Sequence, residues 1–230
     1  MPFTSVLTVW VVAISLGFNT PIPVSTEQAP SPVRSINLAE RFAAGTLRPA
    51  NRGLTRVPGN PDAVHVNKKA EPGIVWLEGS DFAEGTIEVD VRVRDVFQQS
   101  FVGIAFHGQN DNVYEALYVR PFNFRAVDPV RHEHAVQYMA LPDYDWPRLR
   151  QQFPDEFESS IDPSIVPTDW VHLRITVKGK TIQAYVGPVP SPTLQVRKLG
   201  QHDRGMIGLW TGNGSDGDFA HLRIAPSSNN

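Results

Sequence analysis

Glu115 is the residue of this sequence that most needs a chemical explanation. In Val113–Arg120, VYEALYVR, it falls on the side of Val113, Leu117 and Val119. Side chains alternate across a strand, so these four would share one face. A buried carboxylate among aliphatic groups requires a partner. An arginine would make it structural, whereas a dry pocket would raise its pKa and fit it to acid catalysis. The opposite face would carry Tyr114, Ala116, Tyr118 and Arg120. Phe101–His107 reads likewise, with Val102, Ile104 and Phe106 against Phe101, Gly103, Ala105 and His107. In Met206–Thr211, Ile207 and Leu209 oppose Met206, Gly208 and Trp210. These second faces mix very small residues with Tyr, Trp, His and Arg. Small residues would leave room, and the rings and guanidinium groups would supply contacts, as in a sugar site. Trp210 and Tyr118 are expected to stack on a ligand, with Tyr114 beside them. Arg120, Asn123, Arg125, Gln137 and Arg148 are expected to hydrogen-bond its hydroxyls or a carboxylate, and Trp146 to close a lid.

Three further groupings invite a chemical reading. Asn213-Gly-Ser-Asp216-Gly-Asp218 clusters oxygen ligands in a turn, so Asn213, Asp216 and Asp218 are candidate calcium ligands. No other cofactor is called for. Glu88-Val89-Asp90 is followed by Arg92 and Arg94, which suits a solvated ion-pair ladder along a strand. His132-Glu133-His134 has no evident third ligand and reads as a loop.

Prolines show which elements must hold these residues. The chain has 230 residues and 20 prolines, and none falls within 73–120, 168–187 or 193–225. Proline cannot donate to a β-ladder, so strands belong in those blocks. Ile87, Val89, Val91 and Val93 alternate with charged residues, as do Val171, Leu173, Ile175 and Val177 with polar ones. Gly73–Leu77, Ala135–Ala140, Thr181–Val186, Thr193–Arg197 and Phe219–Ile224 add further strands. Gly179-Lys180 and Gly108–Asn112 read as hairpin turns. More than ten short strands predict an all-β sandwich or barrel. Asp145–Phe153 is the one expected helix, with Asp145 as N-cap and Pro147 in its first turn. Residues 121–167 hold seven prolines, and residues 97–157 hold 12 of the 22 aromatic residues. That stretch is expected to be an ordered loop region laid over one sheet face.

Composition narrows the function classes. A net charge of −3 disfavours nucleic-acid binding. The absence of cysteine excludes disulfides, thiolate metal sites and a thiol nucleophile. Val6–Gly17 is an uncharged apolar run too short to span a bilayer. The expected organisation is a signal peptide over residues 1–17, a proline-rich linker over 18–35, one domain over 36–226 and a tail over 227–230. Such a protein would be exported and keep no membrane span after cleavage. Nothing in the sequence speaks to oligomeric state.

The strings FAEGTIEVDVRVR, FVGIAFHGQNDNVYEALYVRPFNF, AVQYMA, DWPRLR and GMIGLWTGNGSDGDFAHLRI resemble the concanavalin A-like lectin/glucanase superfamily. Within it, the chain is most similar to the 3-keto-disaccharide hydrolase group, with a further likeness to laminin-G-like modules. The resemblance spans about residues 37–225. It implies a jelly roll of two antiparallel sheets with ligands on the concave face or its rim, and a carbohydrate as the expected partner. The laminarinase-like pattern Glu-x-Asp-x-(x)-Glu is met here only by Glu88 and Asp90, because Arg92 stands where the acid/base carboxylate belongs. A hydrolase of the keto-disaccharide kind needs a base and an oxyanion stabiliser. His107 or Glu115 would be the base, and Arg120 or Arg125 the stabiliser. A glycan-acting enzyme, a non-catalytic carbohydrate-binding module and a laminin-G-like interaction domain all remain open at this point.

Overall fold

The computed structural model describes Met1, Phe3 and residues 32–227. But for Met1 and Phe3, the predicted signal peptide lies outside the described residues, as does most of the predicted linker. The elements in chain order are β1 (Arg34–Ile36), α1 (Leu38–Ala43), β2 (Leu47–Ala50), β3 (Leu54–Arg56), β4 (Val64–Val66), β5 (Gly73–Leu77), β6 (Gly85–Arg92), β7 (Val102–Asn110) and β8 (Val113–Val119). Then come α2 (Pro129–Glu133), β9 (Val136–Leu141), α3 (Trp146–Gln152), β10 (Glu158–Ser159), β11 (Val171–Lys178), β12 (Thr181–Val186), β13 (Leu194–Arg197), β14 (Met206–Thr211) and β15 (Gly217–Pro226).

The strands form two antiparallel sheets, a concanavalin A-like jelly-roll sandwich. One runs β13-β12-β11-β6-β15-β4-β3, with β1 also on β15; the other runs β10-β9-β8-β7-β14-β5-β2. Alternation puts Ile87, Val89 and Val91 of β6 and Leu173, Ile175 and Val177 of β11 in the core, with their polar neighbours at the surface. Each such aliphatic side chain contributes about 1.5–3 kcal/mol by leaving water. The second sheet meets them with Val102, Ile104, Leu117, Val119 and Leu209, all buried. Val102 marks the inner face, since a Cβ on Gly217 of β15 would lie 2.7 Å from it.

The outer face of the first sheet is the expected ion-pair ladder. Arg92 binds Asp218 at 2.7 Å, and Asp90 receives His172 and His221 at 2.7 Å each. The outer face of the second sheet is covered by the segments on either side of β9, residues 121–135 and 142–157, in the stretch that the proline and aromatic distribution marks. That cover includes two unpredicted pieces, a 3-10 turn at Pro121–Asn123 and α2. Helix α3 starts at its predicted cap, where the Asp145 carboxylate accepts from the Arg148 amide. Strands β1 to β4 and helix α1 went unpredicted, and β1 begins inside the stretch assigned to the linker. Strands of three or four residues carry too little alternation to be read from sequence.

Candidate functional site

The site is built on one cross-strand row of the second sheet. Trp210 of β14 pairs with Gly103 of β7, and Gly103 pairs with Tyr118 of β8. Because Gly103 has no side chain, the rings on either side close over it. Their centroids are 4.6 Å apart. A Cβ on Gly103 would come within 2.6 Å of the Tyr118 Cβ. The next row repeats the device, with the Trp76 ring lying over Gly208 and Gly108. This corrects one expectation. The small residues do not leave an empty floor for a ligand; neighbouring aromatic side chains occupy that space. Trp210 and Tyr118 therefore pack against each other, their planes tilted by 34°, and present the wall of a cavity rather than two open platforms.

Tyr114 completes the aromatic wall. Its hydroxyl accepts from the Trp210 indole at 3.2 Å, and burial pushes its pKa up to about 12. The hydroxyl thus keeps its proton and can donate it to a ligand. Burial also raises the Tyr118 pKa.

The charged wall converges on Glu158. Arg150 binds this carboxylate with two hydrogen bonds of 2.8 Å, Arg120 reaches it at 3.3 Å, and His134 lies 3.3 Å away. Burial lowers the His134 pKa despite the carboxylate, so the ring is neutral near pH 7. Arg120 also donates to the His134 carbonyl, to the Tyr118 hydroxyl and to Gln137. One guanidinium thereby fixes the aromatic wall to the covering loops.

These parts enclose a cavity of about 660 Å³ between the sheet and its cover. Of the nine residues expected to bind ligand, Tyr114, Tyr118, Arg120, Asn123, Trp146 and Trp210 line it. Gln137 is fully buried and does not line it; it holds the Tyr118 hydroxyl and Arg120 in place. Arg125 points elsewhere and donates to the Pro163 and Ser164 carbonyls. Arg148 lies over the Tyr144 ring, 5.5 Å from its centroid. The arginine that reaches the cavity from α3 is Arg150, whose guanidinium lies 5.0 Å from the centroid of Trp146. Residues four apart share a helix face, so the i,i+4 rule applied to Trp146 would have selected it. Arg131, Phe122 and Asn213 also line the cavity. Arg131 and His134 are brought in by α2 and its C-cap; the sequence marks His134 only within His132-Glu133-His134, as a metal pattern without a third ligand.

His107 and Glu115 come together, but neither lines this cavity. Strict alternation would put His107 on the Gly103 face. A bulge intervenes, because pairing jumps from Phe106–Glu115 to Asn110–Val113 and His107 takes a left-handed backbone, φ 51°. The ring turns to Glu115, with Nδ1 2.7 Å from the carboxylate and Nε2 2.7 Å from the Ala83 carbonyl. Tyr138 donates to the other carboxylate oxygen and accepts from the Leu199 amide at 2.9 Å, and Lys198 lies 3.8 Å away. The partners of Glu115 are therefore a histidine, a tyrosine and a lysine, not the arginine expected. The group borders a separate hollow of about 250 Å³ beside Gly200 and Tyr144.

The candidate calcium ligands are otherwise engaged. Asp216 binds Arg94 at 2.6 Å, Asp218 binds Arg92 and His65 at 2.7 Å each, and Asn213 accepts from the Glu71 amide. Both carboxylates are thus paired with guanidinium groups on the outer face of the first sheet. Among the described residues no group of three or more His, Asp or Glu side chains is placed to hold a metal ion, and no helix is long and apolar enough to cross a membrane.

No family model and no curated protein sequence matches the chain. Solved structures do. A carbohydrate binding module, CBM66, from Bacillus subtilis superposes with a TM-score of 0.55 at 12% identity, covering 78% of this chain and 96% of that one. A native glycosidic hydrolase superposes at 0.54 and 11% identity, covering 90% and 100%. The exoplasmic/lumenal domain of VIP36, with Ca²⁺ and Man3GlcNAc bound, superposes at 0.52 and 10% identity, covering 80% and 85%. At these identities the likeness establishes the lectin-like jelly-roll fold.

Proposed function

We propose that this chain is an exported carbohydrate-binding jelly-roll domain whose ligand enters the cavity over β7, β8, β9 and β14. The observation that carries the proposal is the composition of that cavity. Trp210, Tyr114 and Tyr118 form one wall, the half-exposed Trp146 stands at the rim, and Asn123 holds a buried side-chain oxygen with no partner. Apolar ring surface beside a few unpaired polar atoms suits a sugar. The fold neighbours support the same ligand class, since one is a carbohydrate binding module and another holds a mannose oligosaccharide.

Binding without turnover is favoured over hydrolysis. Glycoside hydrolysis by the common route needs two carboxyl groups flanking the scissile bond. Asp145 is the only carboxylate among the residues lining the cavity, and it caps α3. For an enzyme of the keto-disaccharide kind, His107 and Glu115 would have to act, yet both imidazole nitrogens are already engaged within the protein. Screening neutral and acidic oligosaccharides by thermal shift, with chromatography of the sugars afterwards, tests the proposal. It predicts a raised melting temperature with at least one sugar and no released product. Release of product would favour the hydrolase, and a complete absence of binding would contradict both.

A further inference from the structure

Three guanidinium groups border the cavity, those of Arg120, Arg131 and Arg150. Glu158 serves two of them and is itself nearly inaccessible, so its charge is spent inside the wall. Arg131 differs. It lies on the Phe97 ring, 4.5 Å from the centroid, and one terminal nitrogen donates to the Phe122 carbonyl. Among the described residues it forms no ion pair, and its buried Nε has no hydrogen-bond partner. The carboxylate of Asp145, the one acidic lining residue, is taken up by the amide that begins α3. Three guanidinium groups against the two carboxylates of Glu158 and Asp145 leave the site one positive charge in excess, and Arg131 is the guanidinium without an ion-pair partner among the described residues.

A few residues away, Asn123 supplies the complementary kind of deficit. It is 4% exposed and lines the cavity; its amide nitrogen donates to the His134 carbonyl, and its oxygen accepts from nothing. An unpaired acceptor suits a hydroxyl, and an unpaired guanidinium suits a carboxylate or sulfate. A neutral sugar satisfies only the first, and a simple anion only the second.

We infer that the ligand is an acidic sugar, a saccharide bearing a carboxylate or sulfate group that pairs with Arg131 while a ring hydroxyl donates to Asn123. This rests on the carbohydrate-binding proposal above and specifies its ligand class. A guanidinium stacked on an aromatic ring is already held in place, so it loses little freedom on pairing.

The test is calorimetric titration of the whole chain. Glucuronate, galacturonate and mannuronate trisaccharides are each compared with their methyl esters, and with a sulfated galactose disaccharide as the second anion. The expected result is binding of one acid at least about tenfold tighter than its ester. That advantage should shrink as salt rises from about 20 to about 200 mM. Arg131→Gln should bring the acid-to-ester ratio toward one, with an unchanged melting temperature showing that the fold is intact, and Arg131→Lys should keep part of the ratio. Preference for the sulfated sugar alone supports the inference and assigns sulfate as the anion. Esters binding as tightly as acids would overturn the inference and leave the carbohydrate proposal standing. No binding by any sugar would overturn both, and an undiminished ratio in Arg131→Gln would overturn the role of Arg131.

Discussion

Trp210 and Tyr118 sit two strands apart, yet their rings meet at 4.6 Å because Gly103 between them has no side chain. A Cβ there would lie 2.5 Å from the Tyr118 Cα. Gly103→Val should therefore lower stability by about 1–3 kcal/mol, the usual cost of overpacking. It should also separate the two rings. Chemical denaturation measures the first effect and near-ultraviolet circular dichroism the second. An unchanged aromatic spectrum would contradict the geometry.

Trp146 carries a different prediction, because its side chain is 47% exposed at the cavity rim. Trp146→Ala removes ring surface offered to a ligand and little from the core. Sugar affinity should fall at least about fivefold, as for an aromatic contact residue, while the melting temperature stays nearly unchanged. Calorimetry and thermal melting distinguish this from a structural role, in which both would change together.

The hydrogen-bond chain Leu199–Tyr138–Glu115–His107–Ala83 ties the β13–β14 and β5–β6 connections, which run between the sheets, to strands of the second sheet. Removing one member leaves buried polar groups unpaired. Glu115→Ala should destabilise the fold by about 3–5 kcal/mol, the cost of breaking a buried ion pair. Sugar binding at a temperature where the variant remains folded should persist. Loss of binding with stability intact would point instead to a direct role for Glu115 in the site.

Stability should depend on pH through the outer face of the first sheet. The hydrogen bond to Asp218 raises the His65 pKa above 6.5, so this pair stabilises fully at lower pH and fades as pH rises through the folded value. Hydrogen bonding from His172, then His221, lowers the Asp90 pKa below 3.8. For Asp218, burial opposes the shift, but hydrogen bonds from His65 and Arg92 outweigh it and the pKa is also lowered. Both aspartates stabilise above their unfolded pKa and lose that effect as pH falls through the folded one. Thermal melts should show a maximum between about pH 4 and pH 6.5. His65→Gln should flatten the fall on the alkaline side, and a melting temperature rising steadily from pH 6 to pH 8 would contradict the assignment.

Long strands were legible because alternation repeats often enough to fix a face. Glu88, Asp90 and Arg92 fell on the solvent side of β6 as read, and the α3 cap fell at Asp145. His107 escaped because a bulge breaks the period of two that the reading assumes. The floor was misjudged for a tertiary reason: Gly103 and Gly208 record how closely a neighbouring ring approaches, and a sequence does not say whether ring or ligand fills the space. Six of nine expected ligand contacts still line the cavity, since strand parity and the loop cover together place them. Glu158 and Arg131 sit on the short elements β10 and α2, whose placement depends on tertiary packing that no local spacing encodes.

The indole N–H signals of the tryptophans test the central claim most directly. In nitrogen-15 correlated spectra, cellotriose, xylotriose, mannotriose and the uronate trisaccharides are titrated while Trp146, Trp210 and Trp170 are followed. Trp170 is the internal control, since it packs with Arg92 on the opposite sheet. The account predicts that a bound sugar shifts Trp146 and Trp210 and leaves Trp170 still. Shifts confined to Trp170, or none with any sugar, would contradict it.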